Sequence, residues 1–279
     1  MKTALALGTF DGIHIAHRFV LDLPDGYKKT AVTFLKPPKM FFRCDTELLM
    51  SYPDKKKAFE KMGFDEIVAL DFEKIKETEP IDFLEFLYSN YNPAVISCGF
   101  NYHFGKNGAG DIALLQDFCD KKGIRLRICD AVIVDGVKIS STLIRNMLKQ
   151  GEVEKANALM LNPFSFTSEV IKGDRRGRTM GFPTINQKYP DDLVKIKFGV
   201  YKTKVLFDGK VYTGITNIGI RPTFKSEYVI SETYIDGFSG DLYGKEVKIV
   251  IEEFIRSEIK FSSLEELKAQ IQTDLSYIK

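Results

Sequence analysis

The chain has 279 residues, 44% hydrophobic and 28% charged, proportions of a globular protein long enough for two ordinary domains with real cores. Forty Lys and Arg against thirty-eight Asp and Glu leave a net charge of +2. That balance gives no whole-molecule reason to expect nucleic acid or a membrane as partner, and any basic site must be local. Cys44, Cys98, Cys119 and Cys129 form no CxxC pair and stand at no metal-ligand spacing from a histidine. With no signal-like or membrane-spanning apolar run, the expectation is a cytoplasmic protein whose thiols are reduced and packed as small apolar side chains.

In chain order, the first half alternates strand-like and helix-like stretches. "TALALGTF", "AVTF" (31–34), "EIVALDF" (66–72) and "PAVISCGF" (93–100) read as strands. "YPDKKKAFEKMG", "PIDFLEFLYSNY" and "DIALLQDFCDKKG" carry apolar positions three and four apart and read as helices. "IRLRICDAVIVDG" follows as a further strand. The alternation implies βαβ units, a parallel sheet, and ligands at the C-terminal ends of its strands. "SSTLIRNMLKQGEVEKANALMLNP" reads as two helices broken at Gly151. From about residue 164 short β-rich runs follow one another, with an Asp-Gly hairpin in "VLFDGKVY", and suggest a small barrel or sandwich. "SSLEELKAQIQTDLSYIK" closes the chain as a helix with a capping box. The expected division is residues 1–158 and 159–279.

Two of the three histidines fall in "LGTFDGIHIAHRF". On a helix beginning near Gly12–Ile13, His14 and His17 share a face beside free backbone N–H groups and the positive end of the helix dipole. That setting suits a polyphosphate better than a metal; two incidental surface histidines are the other reading. "ISSTLIR" (139–145) sets Ser141 and Thr142 at a helix start with Arg145 three residues on, so that hydroxyls, N–H groups and a guanidinium can converge on one phosphate. Plain capping is the alternative. Asn101, in "CGFNYHFGKNGAGD", is a turn-former by type.

"KGDRRGRTMGFPTINQ" (172–187) is the strongest signal. Its glycines let backbone approach a phosphate closely, and four basic residues compensate the charge. Beyond Pro183, Thr184 and Asn186 alternate onto one face of an extended segment, and such hard oxygen donors suit Mg²⁺. No Walker-type GxxxxGK[ST] is present.

Strand followed by G-T-F-D-G-x-H-x-x-H resembles the HxGH signature of the nucleotidylyltransferase superfamily. It is more specifically similar to the first motif of bacterial bifunctional riboflavin kinase/FAD synthetases. "CGFNYHFGKNGAGD" and "ISSTLIR" agree in order with that family, and 172–187 resembles its GDxRGRxLGFPTAN motif. "GVY" (199–201), "NIGIRPTF" (217–224), "SETYIDGFSGDLYGKEVKI" (231–249) and "SLEELKAQIQTD" extend the likeness across the second domain. The resemblance implies an N-terminal Rossmann-like FMN adenylyltransferase domain and a C-terminal riboflavin kinase domain, a six-stranded Greek-key β-barrel with a terminal helix.

It further implies ATP, riboflavin, FMN and FAD as substrates and products and Mg²⁺ as cofactor; beside it stands the expectation of no nucleic-acid or membrane partner and of a monomer or weak homo-oligomer. By the resemblance, Glu232 is the general base of the kinase, and His14 and His17 act at the adenylyl-transfer site. Gly8, Thr9, Phe10, Asp11, Ser141, Thr142, Arg145, Gly173, Arg176, Gly177, Arg178 and Gly181 serve ATP and its phosphates. Asn101, Phe182 and Arg221 serve the flavin, and Thr184 and Asn186 the metal. Ala16 stands where the family prefers glycine, the stretch after His17 is short, and "FLKPPKMFF" lacks the family's histidine. These departures leave a runner-up: an active kinase with a degenerate or weak adenylyltransferase.

Overall fold

A computed structural model describes residues 2–42, 46–173, 181–222 and 227–278. Cys44, Arg176, Gly177 and Arg178 therefore lie outside the described residues. The chain divides into two compact units, residues 1–46 with 51–141 and residues 47–50 with 142–279.

The first unit is a five-stranded parallel sheet in the order β3-β2-β1-β4-β5. Its strands are β1 (Thr3–Leu7), β2 (Lys28–Phe34), β3 (Glu66–Leu70), β4 (Pro93–Gly99) and β5 (Arg125–Cys129). The helices between them are α1 (Ile15–Leu21), α2 (Lys39–Phe42), α3 (Tyr52–Lys61), α4 (Phe72–Ile75), α5 (Pro80–Tyr91) and α6 (Ile112–Lys122). Every residue of β1 is buried, as a central parallel strand covered on both faces requires. Leu5, Leu7, Val32 and Ile96 pack with Leu84 and Leu87 of α5 and with Leu115 and Phe118 of α6. The strand order reverses between β1 and β4, and ligands of such sheets bind in the crevice at that switch point. Cys98 and Cys119 are buried free thiols, and burial pushes them up to about 12 and about 11, so they pack as inert apolar groups.

Two local expectations need correction. α1 starts at Ile15, with His14 as an extended N-cap, because Gly12 (φ 80°) and Ile13 (φ 39°) are left-handed and cannot open a right-handed helix. The expected single strand from Ile124 ends at Cys129. Past it a separate antiparallel hairpin forms from β6 (Ile133–Val134) and β7 (Val137–Lys138), turning on Asp135 (φ 49°) and Gly136 (φ 76°). That Asp-Gly pair carried the hairpin signal.

The second unit comprises α7 (Ser141–Gln150, from Thr142 on), α8 (Val153–Ala158) and a closed antiparallel barrel ordered β10-β11-β12-β9-β8-β13. Its strands are β8 (Ser165–Ile171), β9 (Thr184–Lys188), β10 (Gly199–Phe207), β11 (Lys210–Pro222), β12 (Glu227–Ile235) and β13 (Glu246–Ser257). β10, β11 and β12 form a meander while β9 lies beside β12, a Greek key. The turn joining β10 to β11 is Asp208–Gly209, both at positive φ. The interior is partly polar. The Thr203, Thr216 and Thr233 hydroxyls bond in a ladder, each step 2.9 Å, and Gln187 Nε2 donates to the Ser168 and Val247 carbonyls.

The terminal helix α9 (Leu264–Leu275) starts at a Ser263 cap. Arg256 of β13 holds it by a two-pronged bond to Asp274, 2.9 and 2.7 Å, with the Asp274 side chain 4% exposed. Asp274→Asn is expected to lower stability by about 3 kcal/mol, since it leaves the guanidinium's charge half-buried without its counter-charge. Thermal melting of the two proteins checks it.

Candidate functional site

In the first unit the chain leaves β1 and turns back into α1 through Gly8–His14. A Cβ on Gly8 would sit 2.9 Å from the Phe10 ring, so only glycine admits the ring there. Phe10 (φ 48°) folds inward, edge-on to His17 at 5.3 Å and to Phe59 at 5.6 Å. The imidazoles of His14 and His17 stack at 3.6 Å and 16°. His14 and Asp11 are each 4% exposed. Ser141 Oγ donates to the Asp11 carbonyl at 2.9 Å, which joins two segments the sequence had singled out separately. Asn101 is exposed on the loop after β4, across the switch point from Gly8. His103 Nδ1 lies 3.2 Å from the Gly108 carbonyl, a contact internal to that loop.

Burial, His14 and Lys55, in that order, hold His17 well below the ordinary imidazole range. At neutral pH the imidazole is therefore uncharged and carries a single N–H donor. A histidine whose folded-state pKa is depressed adds stability above its unfolded value near 6.5, and loses it as pH falls toward the folded value. The protein is expected to be less stable at pH 5 than at pH 7.5, and His17→Gln to flatten that dependence, as urea melts at the two pH values will measure.

Lys55, on the first turn of α3, was not expected from the sequence. It is 3% exposed, and desolvation lowers its ammonium to about 8 against the opposing pull of Asp11. Its only sequence signal is a lysine on the buried side of an otherwise amphipathic helix.

In the second unit, Arg145 Nε donates to the Glu47 carbonyl. The Glu47 carboxylate in turn meets Lys149 at 2.7 Å and the Lys195 amide at 3.2 Å. Thr142 begins this unit's share of α7.

On the barrel, Ser231, Thr233 and Ile235 point inward and are buried, while the half-buried Glu232 and Tyr234 alternate outward. The register sets Glu232 directly opposite Asn186 of β9 on one side and Asn217 of β11 on the other. Directly opposed side chains share a face and lie within contact range, so Asn186, Glu232 and Asn217 form one row. Thr184 is exposed two residues from Asn186 on the same face of β9. Asn217 is the second residue the sequence reading missed; its place in the row follows only from strand pairing.

Asn186 is 7% exposed, and its Oδ1 has no hydrogen-bond partner among the described residues. A Cβ on Gly173 would meet that amide at 2.5 Å, so Gly173 and Asn186 lie closely against one another. An orphaned hard oxygen beside a glycine is a fit for Mg²⁺. Among the described residues no group of three His, Cys, Asp or Glu side chains could hold a metal, which leaves phosphate oxygens and water to complete such a site. Arg221 lies half-buried near the end of β11, and Gly181 (φ 87°) precedes β9. Phe182 packs with Val200, Ile215, Tyr234 and Leu275.

Comparison with known proteins gives consistent results for both halves. The family model described as FAD synthetase matches residues 1–143, and the one described as riboflavin kinase matches residues 160–279. Curated relatives named bifunctional riboflavin kinase/FMN adenylyltransferase include those of Listeria monocytogenes, 34% identical over 98% of this chain and 90% of the relative, and of Bacillus subtilis, 32% identical over the same shares. A solved structure titled macrolide-efflux protein, from Streptococcus pneumoniae, is similar in fold. Its TM-score is 0.89 at 26% identity, covering 99% of this chain and 93% of that one. No helix among the described residues is long and apolar enough to cross a membrane.

Proposed function

The chain belongs to the bifunctional riboflavin kinase/FMN adenylyltransferase family, and from that premise we propose how its residues divide the two reactions. It is a bifunctional enzyme of flavin cofactor synthesis: riboflavin and ATP give FMN and ADP, and FMN and ATP give FAD and pyrophosphate. Both catalytic domains are present. We assign adenylyl transfer to residues 1–158 and the kinase to residues 159–279, within a cytoplasmic monomer or weak homo-oligomer.

The observation that carries the kinase assignment is the register of β9 with β12, which sets the carboxylate of Glu232 opposite the orphaned amide oxygen of Asn186. The ribityl 5′-hydroxyl attacks the γ-phosphorus of ATP; the new O–P bond forms as the bond to ADP breaks, and Glu232 takes the hydroxyl proton. Thr184 and Asn186 would hold Mg²⁺, whose contribution when bound is to offset charge on the phosphate oxygens. Gly173, Arg176, Gly177, Arg178 and Gly181 are assigned to the phosphates, and Phe182 and Arg221 to the flavin side. Asn217, beside Glu232, orients the carboxylate or the hydroxyl it serves.

In the second reaction the FMN phosphate is the nucleophile at the α-phosphorus, and pyrophosphate leaves. No covalent enzyme intermediate is needed. Gly8, Thr9, Phe10 and Asp11 supply the turn that receives ATP, and His14 and His17 donate N–H bonds to its phosphates. Ser141, Thr142 and Arg145 are assigned to the phosphates and Asn101 to the flavin. Stabilising charge on the departing pyrophosphate is the main catalytic task there.

A product time course from riboflavin with MgATP tests the reading. FMN should accumulate first and FAD follow; riboflavin left unconsumed overturns it, and FMN formed without FAD would make the adenylyltransferase degenerate.

A further inference from the structure

The buried ammonium of Lys55 joins the ends of the two strands that open the adenylyl-transfer crevice. Its Nζ donates to the Thr9 carbonyl at 3.1 Å, to Thr33 Oγ1 at 3.2 Å and to the Phe34 carbonyl at 2.9 Å. Thr33 Oγ1 in turn donates to the same Thr9 carbonyl at 2.9 Å. An ammonium has three N–H donors and no acceptor, so these three acceptors use its full capacity. Lys55 is not left with a donor for a phosphate, and its action must run through the chain it holds.

What it holds is the Thr9–Phe10 peptide. In a trans peptide the C=O and N–H point in opposite directions, and no cis bond occurs among the described residues. Fixing the Thr9 carbonyl toward Lys55 and Thr33 therefore aims the Phe10 N–H the other way. The next residues carry backbone strain: Phe10 at φ 48° and the β-branched Ile13 at φ 39°. Such conformations persist only where their surroundings over-determine them. Two hydrogen bonds on one carbonyl, the buried Phe10 ring, and Ser141 on the Asp11 carbonyl provide that constraint.

We propose that Lys55 is a positioning residue of the adenylyltransferase: with Thr33 it clamps the Thr9 peptide and so holds the Phe10–His14 turn ready for the phosphates of ATP. The proposal rests on reading that turn as the ATP site. Lys55 touches neither substrate nor reacting atoms.

The test is steady-state kinetics of FAD formation from supplied FMN and MgATP. Lys55→Met keeps the apolar stem and removes all three donors. The expected result is a raised KM for ATP and a fall in kcat/KM of ~10²-fold, the scale of a misplaced reacting geometry, with riboflavin phosphorylation by the same protein unchanged. Thr33→Val removes only the bridging hydroxyl and should move KM in the same direction by less. Because both act on one carbonyl, the double variant should lose less than the product of the two single losses. A lysine that merely supports the core would lower the melting temperature and leave the KM for ATP alone. Should Lys55→Met fail to fold, Thr33→Val decides: a raised KM supports the clamp, and a wild-type KM overturns it. His14→Ala separates the two claims. If it leaves FAD formation intact, the ATP-site reading fails. If it abolishes FAD formation while Lys55→Met and Thr33→Val keep the wild-type KM, the clamp alone fails.

Discussion

Glu232→Gln is expected to slow FMN production from riboflavin by ~10²–10⁴, the range of a lost general base, and to leave FAD formation from supplied FMN at its original rate. Glutamine keeps the shape and an acceptor oxygen but cannot take the hydroxyl proton at neutral pH. The strand alternation makes the variant a clean one: Ser231 and Thr233 fill the barrel interior while Glu232 faces outward between Asn186 and Asn217. Loss of the carboxylate should therefore cost chemistry rather than fold. Riboflavin-dependent ADP release measures the first reaction, and FAD formation the second. An unchanged kinase rate would remove Glu232 from the mechanism and leave phosphate positioning to carry the transfer.

His14→Ala should do the opposite, cutting FAD formation by ~10²–10³, the loss seen when one donor to developing charge is removed, while riboflavin phosphorylation continues. The imidazole is buried at the N-cap of α1 and stacks on His17. The substitution thus removes a donor and the surface that orients its neighbour. Kinase activity in the same sample is the internal control for an intact second unit. His14→Asn, which restores a side-chain N–H, should recover part of the rate. If either His14→Ala or Glu232→Gln abolished both reactions in a folded protein, the assignment of two separate sites would be wrong.

Much of this architecture is legible in the sequence. Apolar periodicity changes from alternating strands and helices to short strands near residue 164, and the parallel sheet and the barrel follow that change. The Asp208–Gly209 hairpin and the extended Thr184–Asn186 run stand where their local chemistry put them. The start of α1 was misjudged because i,i+3 spacing reports a shared face, not the backbone sign at Gly12 and Ile13. The β6–β7 hairpin was passed over although its Asp-Gly turn was written in the sequence.

The sequence by itself determined most of the local elements and the two textures of the chain, because periodicity, turn chemistry and caps are decided within a few neighbouring residues. Only the tertiary structure decided which distant groups meet. Glu47–Met50 joins the second unit across most of the first half of the chain, Asn217 is brought beside Glu232 by strand register, and Lys55 reaches a carbonyl 46 residues away. Such meetings depend on which strands pair and which faces pack, a choice made by burial and hydrogen-bond satisfaction over the whole fold.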